Sequence, residues 1–427
     1  MNDLVDAVRE AFGTQGLLAR TQADYRLRSG QQAMAEAVAQ AIERKSHLVV
    51  EAGTGVGKTY AYLVPALLSG ERVVISTATH ALQEQLFTRD LPKLVAALGL
   101  PLKSAQLKGR NSYLCLQRLA QVRLGKTAPQ DPQVLRTVAD VERWALLTRS
   151  GDLGEMPRLD ERSPALPLVT STKDNCLGSE CEHWQACHVN IARQNALQAD
   201  VVVINHHLLF ADWEVKESGV AQLLPNAGVV IVDEAHQLND TGLQFAGQRL
   251  SSQHLIGYAR DVLRTGQAEA RGMADWLVLS ASLEQRLREL RLEAGQVPEG
   301  GRLAWQSITP QGLDAQRWRM ALRALALAIK AILQPLVQLE ASSMQLRRLF
   351  ERGSNLLQRL AGFASAAPDG GVRWLEVGSR YLRMLESPLT IANDLRSKLI
   401  AENPLLTGSD GQLDQSASPA QCAWIFT

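Results

Sequence analysis

Residues Glu51 to Thr59 read Glu-Ala-Gly-Thr-Gly-Val-Gly-Lys-Thr, a set of types suited to holding phosphate. Gly53, Gly55 and Gly57 let consecutive main-chain N–H groups converge on phosphate oxygens, and the positive end of a following helix adds to that field. Lys58 would reach the β- and γ-phosphates, and the Thr59 hydroxyl would bind Mg²⁺. Ala52 stands where the general pattern has its first glycine, so the cradle runs through Ala52, Gly53, Thr54, Gly55, Val56, Gly57, Lys58 and Thr59. A chance glycine-rich turn is the plain alternative. An apolar run, Leu48-Val49-Val50, precedes the loop and Tyr60-Ala61-Tyr62-Leu63-Val64 follows it. That strand–loop–helix order predicts a nucleoside triphosphate site.

A second stretch supplies what such a site lacks. Gly228 to Val232 is a near-continuous apolar strand that ends in Asp233-Glu234-Ala235-His236. Asp233 would hold Mg²⁺ through its water shell, and Glu234 would orient and deprotonate the attacking water. His236 would link the γ-phosphate to the rest of the protein. Acids at a strand end also serve as helix N-terminal charges, a reading that loses force once the phosphate loop is counted.

Cys115, Cys176, Cys181 and Cys187 follow the spacing C-x60-C-x4-C-x5-C, with Cys422 alone near the end. In a reducing compartment a cluster of this kind points to metal or catalysis rather than disulfides. Four thiolates suit tetrahedral Zn²⁺ or an iron–sulfur cluster. Gaps of four and five are wider than the two-residue knuckle of structural zinc and favour iron–sulfur. His183 and His188 are alternative ligands or ordinary surface histidines.

The elements that must position these groups alternate in the α/β manner. Strands are predicted at Val73 to Thr77, Leu102 to Leu107, Asp200 to His207 and Gly228 to Val232, with a strand-like run at Cys422 to Thr427. Met34, Val38, Ala41 and Ile42 recur at helical spacing. Gln31, at the start of that helix, is by default a surface residue, but a glutamine amide also matches adenine N7 and N6. Thr77 and Thr79 suit either a nucleic-acid phosphate or ordinary helix capping. Between about Asn111 and Ala192 prolines interrupt the chain and strand signals vanish. Long Leu/Ala/Arg/Gln-rich helices are predicted from about Leu243 to Leu360, and after Gly370-Gly371 the runs Val372 to Val377 and Tyr381 to Leu385 read as a hairpin. The basic run Arg347 to Arg352 reads as a solvated helix face before a DNA contact. Thr407 to Pro419 reads as a linker.

At 427 residues the chain should form two or three domains. A net charge of +1 leaves any nucleic acid to be held by local basic patches. The acidic start lacks a signal-peptide pattern, and the longest apolar runs are broken by Lys, Arg, Gln or Pro, so a cytoplasmic protein without a membrane partner is expected.

Taken together, these residues resemble the iron–sulfur superfamily 2 DNA helicases, the XPD/DinG group, and within it the DinG-like YoaA branch. The resemblance rests on Arg28 and Gln31, the loop Ala52 to Thr59, Ser76 to Thr79 with Leu82-Gln83, the four cysteines, Asn205 to Leu209, Asp233 to His236, and Ser387-Pro388-Leu389. It implies a RecA-like P-loop motor domain (1–110, 193–242 and about 405–427), interrupted by an iron–sulfur domain (111–192) and a mainly helical arch domain (243–404). It also implies ATP, Mg²⁺ and a [4Fe–4S] cluster as cofactors, with Arg28 and Gln31 at the nucleotide. Single-stranded or forked DNA is the implied substrate, unwound 5′→3′, with replication or repair proteins as partners. Tyr113 would stack on bases, and Lys108, Arg110 and Asn111 would lie near the strand. In the family a strand like Trp424 to Thr427 continues into a second motor domain with an arginine finger. The chain is therefore expected to be an N-terminal half that binds ATP and DNA weakly and does not unwind alone. A non-catalytic binding module with a vestigial ATP site, or a zinc-bound nucleotide switch, are the competing readings.

Overall fold

The computed structural model describes residues 4–21, 26–53, 55–123, 131–160, 162–217, 223–295, 301–368, 370–378, 381–393, 395–397 and 422–427. Thr54 and the expected linker at Thr407 to Pro419 lie outside these residues. Two compact units emerge. Unit 1 comprises Met1–Gly109, Val189–Phe245 and Thr390–Thr427; unit 2 comprises Arg110–His188 and Ala246–Leu389.

Unit 1 is built on a parallel sheet of β1 (His47–Val49), β2 (Val73–Thr77), β3 (Ser104–Gln106), β4 (Val201–Asn205), β5 (Val229–Val232) and β10 (Ala423–Phe426). The strand order is β1-β10-β5-β2-β4-β3. β2, β4 and β5 are buried along their whole length, as the Val/Ile runs of a doubly covered parallel sheet require. One face of the sheet packs on the helices Ser29–Glu43 and Lys58–Leu68 through Met34, Val38, Ile42, Leu63 and Ile75. The other carries Phe210, Trp213 and Trp424. β10 pairs with β1 on one side and β5 on the other, with Trp424 opposite both His47 and Val230. The last described strand is thus interior to the sheet. The α/β expectation, with a parallel sheet carrying the phosphate loop, holds.

Unit 2 has two hydrophobic clusters. The smaller one gathers Leu114, Leu119, Val134, Val138, Val141 and Val169 among short helices. The larger lies among the helices Ser252–Glu269, Trp276–Glu293, Ala315–Leu339 and Met344–Ala364, where Trp305, Trp318 and Phe363 meet. The expected hairpin is present as β8 (Gly371–Val377) against β9 (Leu382–Pro388). It is not alone: β6 (Gln248–Ser251) and β7 (Gly301–Ala304) flank it, in the order β6-β9-β8-β7. Four-residue strands inside a helix-rich sequence give too little alternation to stand out, so the segment expected to be helical is in fact helices with a sheet. A second correction concerns Ala315–Leu339, which by length and composition is apolar enough to cross a membrane. Its Trp318, Leu322, Leu325, Ile329, Ile332 and Leu336 are buried at helical spacing among the neighbouring helices. It serves as a core helix of unit 2.

Candidate active site

The residues expected to do chemistry in unit 1 follow the carboxyl ends of its strands, where ligands bind in open α/β sheets. The phosphate loop leaves β1. Gly55 and Gly57 sit at φ of 83° and 92°, a region that side-chain-bearing residues adopt only at a cost. At Gly57 the demand is also steric: a Cβ there would lie 2.3 Å from Gln31 Nε2. That nitrogen donates to the Gly57 carbonyl at 3.0 Å, and Arg28 donates to the Gly55 carbonyl. Gln31 is buried, against its default reading as a surface residue. Both side chains clamp the loop from the N-terminal end of the Ser29–Glu43 helix, where Arg28 is the N-cap. Lys58 opens the helix that follows, with Gly57 at its N-cap.

β5 delivers the acids. Asp233 N–H donates to the Ser76 carbonyl at 2.8 Å, which continues the β5–β2 ladder by one residue. Glu234 then turns into the left-handed region at φ 56°. For a residue bearing a side chain this costs on the order of 1–3 kcal/mol and is tolerated where the surroundings enforce it. The turn brings Glu234 Oε1 to 3.7 Å from Lys58 Nζ and Oε2 to 3.4 Å from His236 Nδ1. One carboxylate therefore spans the phosphate-loop lysine and the histidine.

The fit to Mg²⁺ rests on charge. Burial, and then the negative charge of Glu234, push the Asp233 carboxyl up. Two adjacent acids with Lys58 as a nearby cation are short of positive charge, a deficit a hard divalent ion would fill. Such an ion takes one or two protein oxygens and completes its shell with water and phosphate. Asp233 and the Thr59 hydroxyl would hold it, and when bound it would neutralise charge developing on the phosphates.

Three residues here escaped sequence reasoning. Thr427 Oγ1 donates to Asp233 Oδ1 at 3.2 Å. The Tyr62 hydroxyl, fully buried, is pushed well up by burial and then by Asp233, and Thr59 also acts on it. His206, fully enclosed, meets Ser76 Oγ at 2.7 Å through Nδ1. For Tyr62 the only available signal was its place four residues after Lys58 and three after Thr59, one helical turn along the same face.

The groups expected near a nucleic acid are more committed than their types suggested. Thr79 Oγ1 accepts from Leu82 N at 3.2 Å as an N-cap, and Thr77 is buried. Lys108 is paired with Glu84 at 2.8 Å. Tyr113 is buried, so its ring presents no face for a base, contrary to expectation. Arg352 is not on a solvated face; it pairs with the buried Asp261 at 2.6 Å.

The four cysteines all fall in unit 2 as free, half-buried thiols. Burial raises Cys115, and the charges of Cys176 and Cys181 raise it further; Cys181 responds in the same way to burial, Cys176 and Cys187. Arg110 Nη1 donates to Cys176 Sγ at 3.1 Å, and Gly178 N does so at 3.4 Å. Among the described residues no three Cys, His, Asp or Glu side chains converge as a single ion requires. His188 packs its ring over Gly151, where a Cβ would come within 2.1 Å of it.

Comparison with known proteins follows the same lines. A profile described as DEAD/DEAH box helicase matches residues 30–135, and one described as DEAD_2 matches residues 165–255. The ATP-dependent DNA helicase YoaA of Haemophilus influenzae is 37% identical over 425 residues, covering 100% of this chain and 63% of its own. The YoaA of Escherichia coli is 41% identical over 395 residues, covering 92% and 60%. The ATP-dependent helicase DinG of Mycobacterium tuberculosis is 43% identical over 259 residues, covering 56% and 38%. The chain thus spans about three-fifths of the length of the two YoaA proteins. A solved structure of a truncated XPD superposes with a TM-score of 0.40 at 13% identity, over 92% of this chain and 91% of that one; the fold assignment rests on the strand order instead.

Proposed function

We propose, from the similarity to the YoaA and DinG DNA helicases and the DEAD/DEAH box match, that the chain carries the ATP-hydrolysing site of a 5′→3′ DNA helicase acting on single-stranded and forked DNA. The observation that supports this most directly is the pairing of Glu234 with Lys58 at 3.7 Å, which sets a carboxylate at the phosphate-loop lysine. ATP would lie with its phosphates on Gly53 to Lys58. Lys58 would neutralise the β- and γ-oxygens, and Glu234 would take a proton from the water that attacks the γ-phosphorus. His236, whose Nδ1 lies 3.4 Å from the Glu234 carboxylate, would hold that carboxylate in place.

We further propose that Cys115, Cys176, Cys181 and Cys187 hold a [4Fe–4S] cluster, with Arg110 and the Gly178 N–H as donors to Cys176, within a segment at 111–192. Residues 243–404 would form the arch beside it, and residues 1–110, 193–242 and about 405–427 the motor. A cytoplasmic setting and a role with replication or repair proteins complete this reading.

The test is ATP hydrolysis by the purified chain with and without single-stranded DNA. Turnover that rises on adding DNA and is lost in Lys58→Ala supports the proposal. DNA binding without any turnover would instead favour a binding module with a vestigial ATP site.

A further inference from the structure

The helix Ala315–Leu339 has two faces, and the core of unit 2 uses one of them. It packs against the helices Trp276–Glu293 and Met344–Ala364. Its other face is open. Met320, Leu327 and Val337 are 63%, 57% and 49% exposed, and Arg319, Arg323 and Lys330 are exposed beside them. Met320 and Leu327 lie seven residues apart, with Arg323 and Lys330 each three residues further on, so apolar and basic side chains alternate along one heptad-spaced stripe. From Met320 to Val337 that stripe runs about 26 Å at the helical rise.

The charge of the stripe is one-sided. No Asp or Glu occurs from Ala315 to Leu339. Asp314 is committed as the N-cap, accepting from Gln316 N at 2.9 Å and Arg317 N at 2.8 Å, and Glu340 is the C-cap residue. The adjoining helices neutralise their own cations instead. Arg286 pairs with Glu289 at 2.7 Å, Arg288 with Glu284 at 3.7 Å, and Arg348 with Glu351 at 2.9 Å. Among the described residues no carboxylate pairs with Arg319, Arg323 or Lys330.

This mixture selects among anionic partners. A nucleic-acid backbone would meet the cations and leave Met320, Leu327 and Val337 against water. A bilayer surface takes apolar side chains grouped on one face and cations on another, whereas here the two alternate and the helix's main apolar face is in the core. A helix with Leu opposite Met320 and Leu327 and Glu opposite Arg323 and Lys330 satisfies both sets at once.

We propose that the open face of Ala315–Leu339 is a docking site for an acidic amphipathic helix of a protein partner. The apolar side chains supply the buried contact, and the uncompensated cations reject basic helices. This surface is separate from the nucleotide site, and its occupation needs no ATP turnover.

The test uses the full chain and a fluorescent synthetic helix of about three heptads, with Leu on its seam and Glu on the flanks. Anisotropy should show saturable one-to-one binding to the wild type. Arg323→Glu/Lys330→Glu should weaken it by about tenfold or more, and Leu327→Gln should weaken it by about tenfold. A matching peptide with Lys in place of Glu should bind the Arg323→Glu/Lys330→Glu variant and not the wild type, an outcome that misfolding could not produce. No saturable binding by the wild type overturns the proposal, as does a loss that the Lys peptide fails to restore. Equal displacement of the Glu peptide by polyglutamate, a single-stranded oligonucleotide or phosphatidylglycerol vesicles overturns it too. So does a dimer of the chain that Arg323→Glu/Lys330→Glu dissociates.

Discussion

At the scale of single residues, Glu234 combines backbone strain with a carboxylate shared between Lys58 and His236. Its replacement by Gln preserves shape and removes the base, so Glu234→Gln should bind ATP as the wild type does while turnover falls by about 10²–10⁴-fold. Equilibrium binding and single-turnover hydrolysis on the same preparation check this. Thr427 presents the opposite case. It touches Asp233 and would touch no phosphate, so Thr427→Val should weaken the Mg²⁺ dependence of nucleotide binding, read as a shift of the Mg²⁺ midpoint, and leave binding at saturating Mg²⁺ intact.

At the scale of elements, two glycines set the approach of one segment to another. Gly57 lets the Ser29–Glu43 helix lay Gln31 on the phosphate loop, and Gly151 lets the His188 ring close on the segment that pairs with Leu114. Gly151 also has φ 66°. Gly151→Ala should therefore destabilise unit 2 by about 2–4 kcal/mol, visible as an earlier melting transition, with nucleotide affinity in unit 1 unaffected. For the cysteine segments the expected outcome is chemical. Cys176→Ser in protein purified without oxygen should lose iron, acid-labile sulfide and visible absorption together. Full iron content in that variant would remove Cys176 from the ligand set.

At the scale of the whole molecule, the chain passes between its two units more than once, and within unit 2 a buried ion cluster joins segments far apart in sequence. Asp261 is paired with Arg118 at 3.3 Å, Arg264 at 2.9 Å and Arg352 at 2.6 Å. Burial pushes the Asp261 carboxyl up, but the three guanidinium groups outweigh it and hold it below the usual carboxylate range. Removing the single anion from three enclosed cations should cost about 3–5 kcal/mol, so Asp261→Ala should unfold unit 2 at markedly lower denaturant. The sign with pH follows. A depressed native pKa contributes stability that is fully present above the unfolded value, about 4, and is lost as pH falls through the native value. Acid titration of the wild type should show that loss, and Asp261→Asn should flatten it.

The sequence by itself determined the local chemistry. The phosphate loop, the acid pair after β5 and the strands that carry them are encoded by residue type over short spans, where glycine torsions and apolar runs act within a few residues. The parallel α/β motor fold was legible for the same reason. Only the tertiary structure decided what depends on partners distant in sequence. β10 lies between β1 and β5, which brings Thr427 to Asp233. Tyr113 and Arg352, read from their types as exposed, are buried by segments their own neighbourhoods do not predict. β6 and β7 exist because β8 and β9 offer free edges on which four-residue strands can pair. His206 shows the division most clearly: its place in the Asn205 to Leu209 run is legible, but its buried contact with Ser76 is set by β2 and β4 lying side by side. Hydrogen-bond partners across a sheet are set by strand order, which is a property of the folded molecule.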